Sequence, residues 1–257
     1  MGNNTDYKIA IKFGKASRTY DHYADVHRQV ATYLIRHSPW PKEDEIALDL
    51  GAGTGIVTKL VSKRHSSKAL LALDISIQML DVLRENNPGI SCVQADLNNS
   101  LPFQACSFSY IYSSMALQWV KFSEQIVSIL SNNIKLGGNF AIAVVLNNTF
   151  SKLHKTRSSI ESFNPPKLPD YKELCAYFSD SQLLLKNHEC HTFTDSFSDI
   201  DELFNSIRGL GISGNSETPL SRDKFLELKK RLIDSFCEEN RDPYLNYEIG
   251  FFWGEKK

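Results

Sequence analysis

The sequence predicts an α/β fold, a mostly parallel sheet flanked by helices, and three observations carry that expectation. Residues 46–50 form an apolar run that breaks into three alternating glycines, Gly51, Gly53 and Gly55. Strand-like and helix-like stretches then alternate as far as residue 146, the pattern of a parallel sheet with right-handed crossovers. Acidic residues stand where strands end, at Asp74 and Asp96, the edge at which open parallel sheets bind ligands.

Residues 9–37 place Tyr20, Tyr23, Ala24, Val30, Tyr33 and Leu34 at helical spacing among charges. A helical extension therefore precedes the first strand, serving as a cap on the sheet or a lid over a ligand. Pro39-Trp40-Pro41 ends it, because proline lacks the amide donor and restricts its predecessor. Ile46, Ala47, Leu48 and Leu50 suit a strand covered on both faces, and Ile56, Val57, Leu60 and Val61 return at helical spacing. The glycines between them permit a sharp turn and let a ligand approach the backbone. Free N–H groups at the start of the next helix suit a carboxylate or phosphate. A dinucleotide cradle would need Gly or Ala where Ile56 or Thr58 stands, so the pattern is D-x-G-x-G-x-G, beginning at Asp49.

A strand over 69–74 follows, then a helix over 76–87 with Ser76 as its N-cap and Pro88-Gly89 as its stop, and a strand over 91–95. Asp74 stands about twenty residues beyond the glycines, where a carboxylate can accept from both hydroxyls of a ribose. At the next strand end Asp96 can accept from an adenine amino group and Leu97 can pack on the ring. Met79, one turn into its helix, suits either the other adenine face or the helix core. A β-rich run, 107–113, leads into Ser114-Met115-Ala116-Leu117-Gln118-Trp119, and Ser113 to Trp119 make a fourth ligand position, led by Ser113. A helix over 120–135 is closed by Gly137-Gly138 before a strand over 140–146. Beyond it the alternation stops. Helices are expected over 149–162, 171–178, 200–208 and 221–236, with strands over 184–197 and 244–253, prolines at 165, 166 and 169, and a glycine-rich turn over 209–214.

The 257 residues are 42% hydrophobic and 23% charged, ordinary for one large α/β domain. A net charge of −1 gives no field for nucleic acid, and no apolar run approaches the roughly 20 residues that span a membrane. Residues 1–7 lack the apolar core of a signal peptide, which points to a cytoplasmic protein. Cys92, Cys106, Cys175, Cys190 and Cys237 are scattered without a C-x-x-C pair, so reduced thiols and no metal are expected.

The D-x-G-x-G-x-G stretch resembles the first motif of class I S-adenosylmethionine-dependent methyltransferases. Phe13-Gly14-Lys15-Ala16 with Tyr20, Ala24 and Gln29, the Ser113–Trp119 run, and Ser206-Ile207-Arg208-Gly209-Leu210-Gly211 narrow the likeness to the malonyl-acyl-carrier-protein O-methyltransferase family of biotin synthesis, over about residues 11–254. Ala52 departs from the Cys common there. The resemblance implies a Rossmann-like class I methyltransferase fold with a seven-stranded sheet, an N-terminal helical lid (1–41), a cofactor-binding core (42–147) and acceptor-side helical insertions between the late strands (148–257). It also implies S-adenosylmethionine as methyl donor, S-adenosylhomocysteine as product, and malonyl-acyl carrier protein or malonyl-CoA as acceptor, with Asp49, Gly51, Gly53, Gly55, Asp74, Met79, Asp96, Leu97 and Ser113 holding the cofactor.

A malonyl carboxylate is ionised at neutral pH and needs no general base, only orientation. Arg208 is the candidate for holding it, and Tyr20 for closing the pocket. Carrier proteins are acidic, and Lys152, Lys155, Arg157 and Lys167, opposed by Glu161, form a candidate docking patch. Another small carboxylate or hydroxyl acceptor, or a methyltransferase-like binding subunit without catalysis, are the alternative readings. A nicotinamide dehydrogenase fits the glycine spacing least.

Overall fold

The computed structural model describes residues 4–42, 45–160, 167–212 and 220–257, with the backbone alone for 4–7. Helix α1 (Asn4–Ala16), a 3-10 turn at Tyr20–His22 and helix α2 (Asp25–Arg36) precede the sheet. The core then runs β1 (Ala47–Leu50), α3 (Ile56–Val61), β2 (Leu70–Asp74), α4 (Ile77–Asn86), β3 (Ser91–Gln94), β4 (Phe108–Ser114), α5 (Gln125–Asn133) and β5 (Ile134–Val145). Helices α6 (Ser151–Ser158) and α7 (Tyr171–Ser179) lead to β6 (Leu183–Ser196). Helices α8 (Ile200–Gly209) and α9 (Arg222–Glu238) lead to β7 (Tyr244–Lys256).

Among the described residues seven strands form one sheet in the order β3-β2-β1-β4-β5-β7-β6, parallel through β5, with β7 antiparallel to both its neighbours. This is the Rossmann-like class I methyltransferase fold that the sequence predicts. β1 lies inside the sheet, pairing through Ala47 with Leu70 on one side and Tyr110 on the other. All four of its residues are buried, which is why its sequence is a continuous apolar run broken only by Asp49. Strand order reverses between β1 and β4, and the ligand crevice of such a sheet opens there.

The N-terminal extension divides its labour. Helix α2 is a cap: Val26, Val30 and Leu34 are buried against the sheet, and Trp253 of β7 donates its indole N–H to the Leu34 carbonyl at 3.2 Å. Helix α1 and the 3-10 turn lie over the carboxyl edge. Gly14 brings α1 against Gln78 of α4, and Arg18 pairs with Glu85 of α4 at 2.8 Å. Thr54 in the glycine loop donates to Asp21 at 2.6 Å, and Thr19 donates to the Gly209 carbonyl at 3.2 Å.

Two expectations are corrected. The helix expected over 120–135 covers Gln125–Asn133 only, and Gly137-Gly138 lies inside β5 instead of closing the helix. Pairing jumps from Phe108↔Ile134 to Tyr110↔Asn139, so extra residues bulge out of β5. Gly137 adopts φ +75°, and a Cβ on Gly138 would lie 3.0 Å from the Ser109 carbonyl, so the glycines serve the bulge. Helix α3 spans Ile56–Val61, the stretch whose apolar residues recur at helical spacing. Glu161, Ser162, Pro165, Pro166, Ser213 and Gly214 lie outside the described residues. No helix among the described residues is long and apolar enough to cross a membrane.

The end of α8 explains its glycines. A Cβ on Gly209 would sit 2.1 Å from the Tyr23 ring, and Gly211, at φ +70°, passes 3.1 Å from the Lys12 carbonyl by the same measure. Overpacking costs about 1–3 kcal/mol, more than the ~1 kcal/mol that alanine gains over glycine in a helix. Gly209→Ala is therefore expected to lower the urea midpoint, by an amount equivalent to about 1–2 kcal/mol; an unchanged or raised midpoint would show that the N-terminal segment yields freely.

Candidate functional site

The glycine turn is pinned from below. The amides of Gly51 and Ala52 both donate to the Leu73 carbonyl at the end of β2, at 2.8 and 2.9 Å. Gly51, Gly53 and Gly55 all have positive φ, at +69°, +55° and +94°, which disfavours any side chain there. Space separates their tasks. A Cβ on Gly51 would lie 2.2 Å from that of Ala116, whereas a Cβ on Gly53 would meet nothing within 4 Å, because it faces an open cavity.

That cavity, of about 100 Å³, is bordered by Gly51, Gly53, Asp49, Asp74, Asp96 and Tyr20 among others. Asp74 accepts from the Gly53 amide at 2.9 Å through Oδ2 and from the Ser76 amide at 2.8 Å through Oδ1. Two fixed donors set the plane of its carboxylate and leave lone pairs of both oxygens toward the crevice. Burial raises its pKa against the pull of these backbone donors. Asp49 is 1% exposed; Oδ2 accepts from the Thr58 hydroxyl at 2.6 Å, while Oδ1 is buried without a partner. A buried acceptor left empty costs about 1–3 kcal/mol, so a donor arriving in this cavity is strongly favoured. Asp96 is half-buried and folds into a turn, accepting from the Asn98 amide at 2.9 Å. Leu97 and Met79 complete an apolar slot beside it; Met79, 1% exposed, is both core and cavity wall.

Ser113 is a correction. Its side chain is fully buried and its hydroxyl donates to the Leu50 carbonyl at 2.8 Å, while Ser114 borders the cavity. Adjacent residues of a strand face opposite ways, so a one-residue error crosses the sheet. Ser113 braces β4 against β1.

A second cavity of about 490 Å³ adjoins the first. Phe13, Tyr20, His27, Met115 and Trp119 border both and form the shared wall, with Phe13 and Trp119 edge to face at 5.5 Å. Its far walls are mainly apolar, from α6, α8 and α9. Met115 and Phe150, two non-glycine residues with positive φ (+54° and +56°), both line it, a strained backbone of the kind that gathers at binding sites. Tyr20 is half-buried, and burial together with Asp74 and Asp21 raises its pKa, so the hydroxyl keeps its proton. Arg208 borders the second cavity from the last turn of α8, its guanidinium donating to Asn205 Oδ1 at 2.7 Å.

The expected docking patch is smaller than its sequence suggested. Lys152 pairs with Glu239 at 2.8 Å and lies 4.1 Å from the centre of the Phe236 ring, joining α6 to α9. Arg157 borders the second cavity, and Lys155 and Lys167 remain exposed. Sequence reasoning missed His27, which nothing in its local pattern distinguishes. Trp119 and Phe13 stood within quoted motifs, and their aromatic character was the available signal. Among the described residues no group of three or more His, Cys, Asp or Glu could hold a metal.

Comparison with known proteins bears on this geometry. Residues 47–138 match the family described as a methyltransferase domain. The chain is similar to malonyl-[acyl-carrier protein] O-methyltransferase 1 of Ilyobacter polytropus, with 24% identity over 91% of this chain and 88% of that protein. It is likewise similar to malonyl-[acyl-carrier protein] O-methyltransferase 2 of Coxiella burnetii, with 28% identity over 100% of this chain and 98% of the other. Among solved structures, the YcgJ protein of Bacillus subtilis superposes with a TM-score of 0.64 at 16% identity, covering 89% of this chain and 98% of the other. Geranyl diphosphate C-methyltransferase of Streptomyces coelicolor, solved with S-adenosyl-L-homocysteine, gives 0.54 at 13% identity, covering 88% of this chain and 77% of that one. These likenesses show the fold.

Burial pushes the Asp49 carboxyl up to about 7 from an ordinary value of 3.8, against the opposing Thr58 hydrogen bond. The native state thus keeps a proton that the unfolded chain has already lost. The Asp49 contribution to stability is expected to fall as pH rises from about 4 to about 7, so the stability of Asp49→Asn relative to the parent should rise across that window and its urea midpoint should exceed the parent's at pH 8. Parallel pH profiles for the parent and Asp49→Asn would overturn this.

Proposed function

We propose that this chain, a class I methyltransferase by fold and by kinship, transfers the methyl group of S-adenosylmethionine to the free carboxylate of a malonyl thioester, carried on acyl carrier protein or coenzyme A. The products are the malonyl methyl ester and S-adenosylhomocysteine, and the ester is the one that starts pimeloyl synthesis for biotin. The observation that carries the reading is the pair of cavities sharing the Tyr20 wall, one ringed by strand-end carboxylates and one apolar with a guanidinium at its edge.

The residues present fit the cofactor. The empty Oδ1 of Asp49 suits the ammonium of its methionine portion, and the doubly anchored Asp74 suits the ribose hydroxyls. Gly53 lets the ligand lie on the backbone, and Asp96, Leu97 and Met79 form a slot for adenine. Bound there, the cofactor supplies a methyl carbon on a sulfonium, open to in-line attack by an acceptor oxygen.

The remaining work is positional. Holding the attacking oxygen in line contributes up to roughly 7–11 kcal/mol. Arg208, at the edge of the second cavity, suits holding one carboxylate oxygen while the other attacks, and no base is required because the carboxylate is already ionised. Phe13 and Trp119 exclude water from the junction. There the meeting of carboxylate and sulfonium cancels charge, which an apolar enclosure favours. Protonated Tyr20 closes the junction as a neutral donor. The exposed Lys155 and Lys167 suit the acidic surface of a carrier protein.

The test is mass spectrometry of malonyl-acyl carrier protein and malonyl-CoA after incubation with the protein and S-adenosylmethionine. One added methyl on the malonyl unit is expected; transfer to free dicarboxylic acids or phenols instead would overturn the acceptor assignment. Two variants separate the cavities. Asp74→Asn should weaken cofactor affinity by about ten- to a hundredfold in calorimetry. Arg208→Ala should leave that affinity within about twofold while lowering kcat/KM for the malonyl thioester by about a hundredfold. Unchanged turnover of Arg208→Ala would remove Arg208 from the site.

A further inference from the structure

Buried polar atoms without partners are rare in folded proteins, and each one costs free energy that a ligand can recover. Four residues lining the two cavities carry such atoms among the described residues: Asp49 Oδ1, His27 Nδ1, Tyr247 Oη and Gln118 Oε1. Asp49 borders the cofactor cavity. Gln118 is half-buried, and its amide already donates to the Met115 carbonyl at 2.7 Å. His27 and Tyr247 differ from both. They are 8% and 2% exposed, they border the acceptor cavity, and His27 also reaches the cofactor cavity.

The two rings come from distant parts of the chain. His27 sits in the first turn of α2, and Tyr247 on β7 opposite Phe193 of β6. With Tyr20 they form an edge-to-face row, 5.3 Å from Tyr20 to His27 and 6.1 Å from His27 to Tyr247. Phe150 braces the far side of Tyr247 at 4.8 Å. The row fixes ring orientation and leaves the polar atoms unsatisfied. Both groups are neutral at ordinary pH: burial, with Arg28 nearby, lowers His27 to about 4, and burial raises Tyr247. A neutral imidazole and a phenol each offer one hydrogen-bond donor without adding charge.

Resting on the reading above, a malonyl thioester presents two recognition elements at the ends of a three-carbon unit, one methylene apart: a carboxylate, which suits Arg208, and a neutral thioester carbonyl, which suits neutral donors. A cation beside the carbonyl would pair with the carboxylate instead and repel the sulfonium. We propose that His27 and Tyr247 are positioning residues that donate hydrogen bonds to the thioester carbonyl of the acceptor and so fix the carboxylate at the end of the acyl unit in line for transfer.

The test compares two acceptors, malonyl-CoA and its carbonyl-free analogue in which the thioester C=O is a CH2, with the parent protein, Tyr247→Phe, His27→Phe and His27→Asn. A site built to hydrogen-bond a polar group discriminates against an analogue lacking it. The parent is expected to favour malonyl-CoA by at least about tenfold in kcat/KM, and Tyr247→Phe and His27→Phe to lose most of that preference by slowing malonyl-CoA alone. His27→Asn, which keeps a neutral N–H donor, should restore part of it. Cofactor affinity by calorimetry should stay within about twofold for Tyr247→Phe, which alters a residue of the acceptor cavity alone. Equal losses on both acceptors, or a parent protein that does not distinguish them, would overturn the clamp while leaving the function proposed above intact. A parent protein that binds the cofactor and methylates neither acceptor would overturn that function and the clamp with it.

Discussion

The double hydrogen bond from Gly51 and Ala52 to the Leu73 carbonyl is the constraint on which the site depends. It joins the ends of β1 and β2 as one rigid edge. The Gly53 amide is thereby brought to 2.9 Å from Asp74, and that bond in turn orients a carboxylate belonging to another strand. A turn, a strand end and a helix N-cap thus share one geometry through four backbone donors, the amides of Gly51, Ala52, Gly53 and Ser76. The cost is two carboxylates, Asp49 and Asp74, held where water hardly reaches them. Both have their pKa raised by burial, so the glycine edge carries an electrostatic cost to the fold.

What the sequence made legible was local or periodic. The glycine turn, the Ser76 cap, the Asp74 strand end and the late helices each carry their signal within about ten residues, where pattern and backbone chemistry coincide. Failures came where one signal has two physical causes. A glycine pair after a helical stretch also marks a bulge, as at Gly137-Gly138. A serine at a strand end faces either way, and Ser113 and Ser114 exchange roles across one peptide. Lys152 read as surface charge and proved to be a cation resting on the Phe236 ring.

The second cavity was legible only as a set of disconnected motifs. Nothing in the Arg208-Gly209-Leu210-Gly211 stretch says that its glycines exist to admit Tyr23 and the Lys12 backbone. Nothing around His27 says that its ring will face Tyr247. Such contacts depend on which distant segment folds alongside, and a local pattern does not encode its partner.

The bond from Thr19 to the Gly209 carbonyl spans 190 positions of chain, and that from Trp253 to Leu34 spans 219. Contacts so remote in sequence carry a large loop-closure cost and form late. During synthesis the N-terminal helices leave the ribosome well before α8 and β7, the elements they clasp. The nascent chain can complete β1 to β5 and the glycine edge while the second cavity still lacks its outer wall. The first cavity can thus take shape before the second, which closes only once β7 brings Tyr247 to its wall.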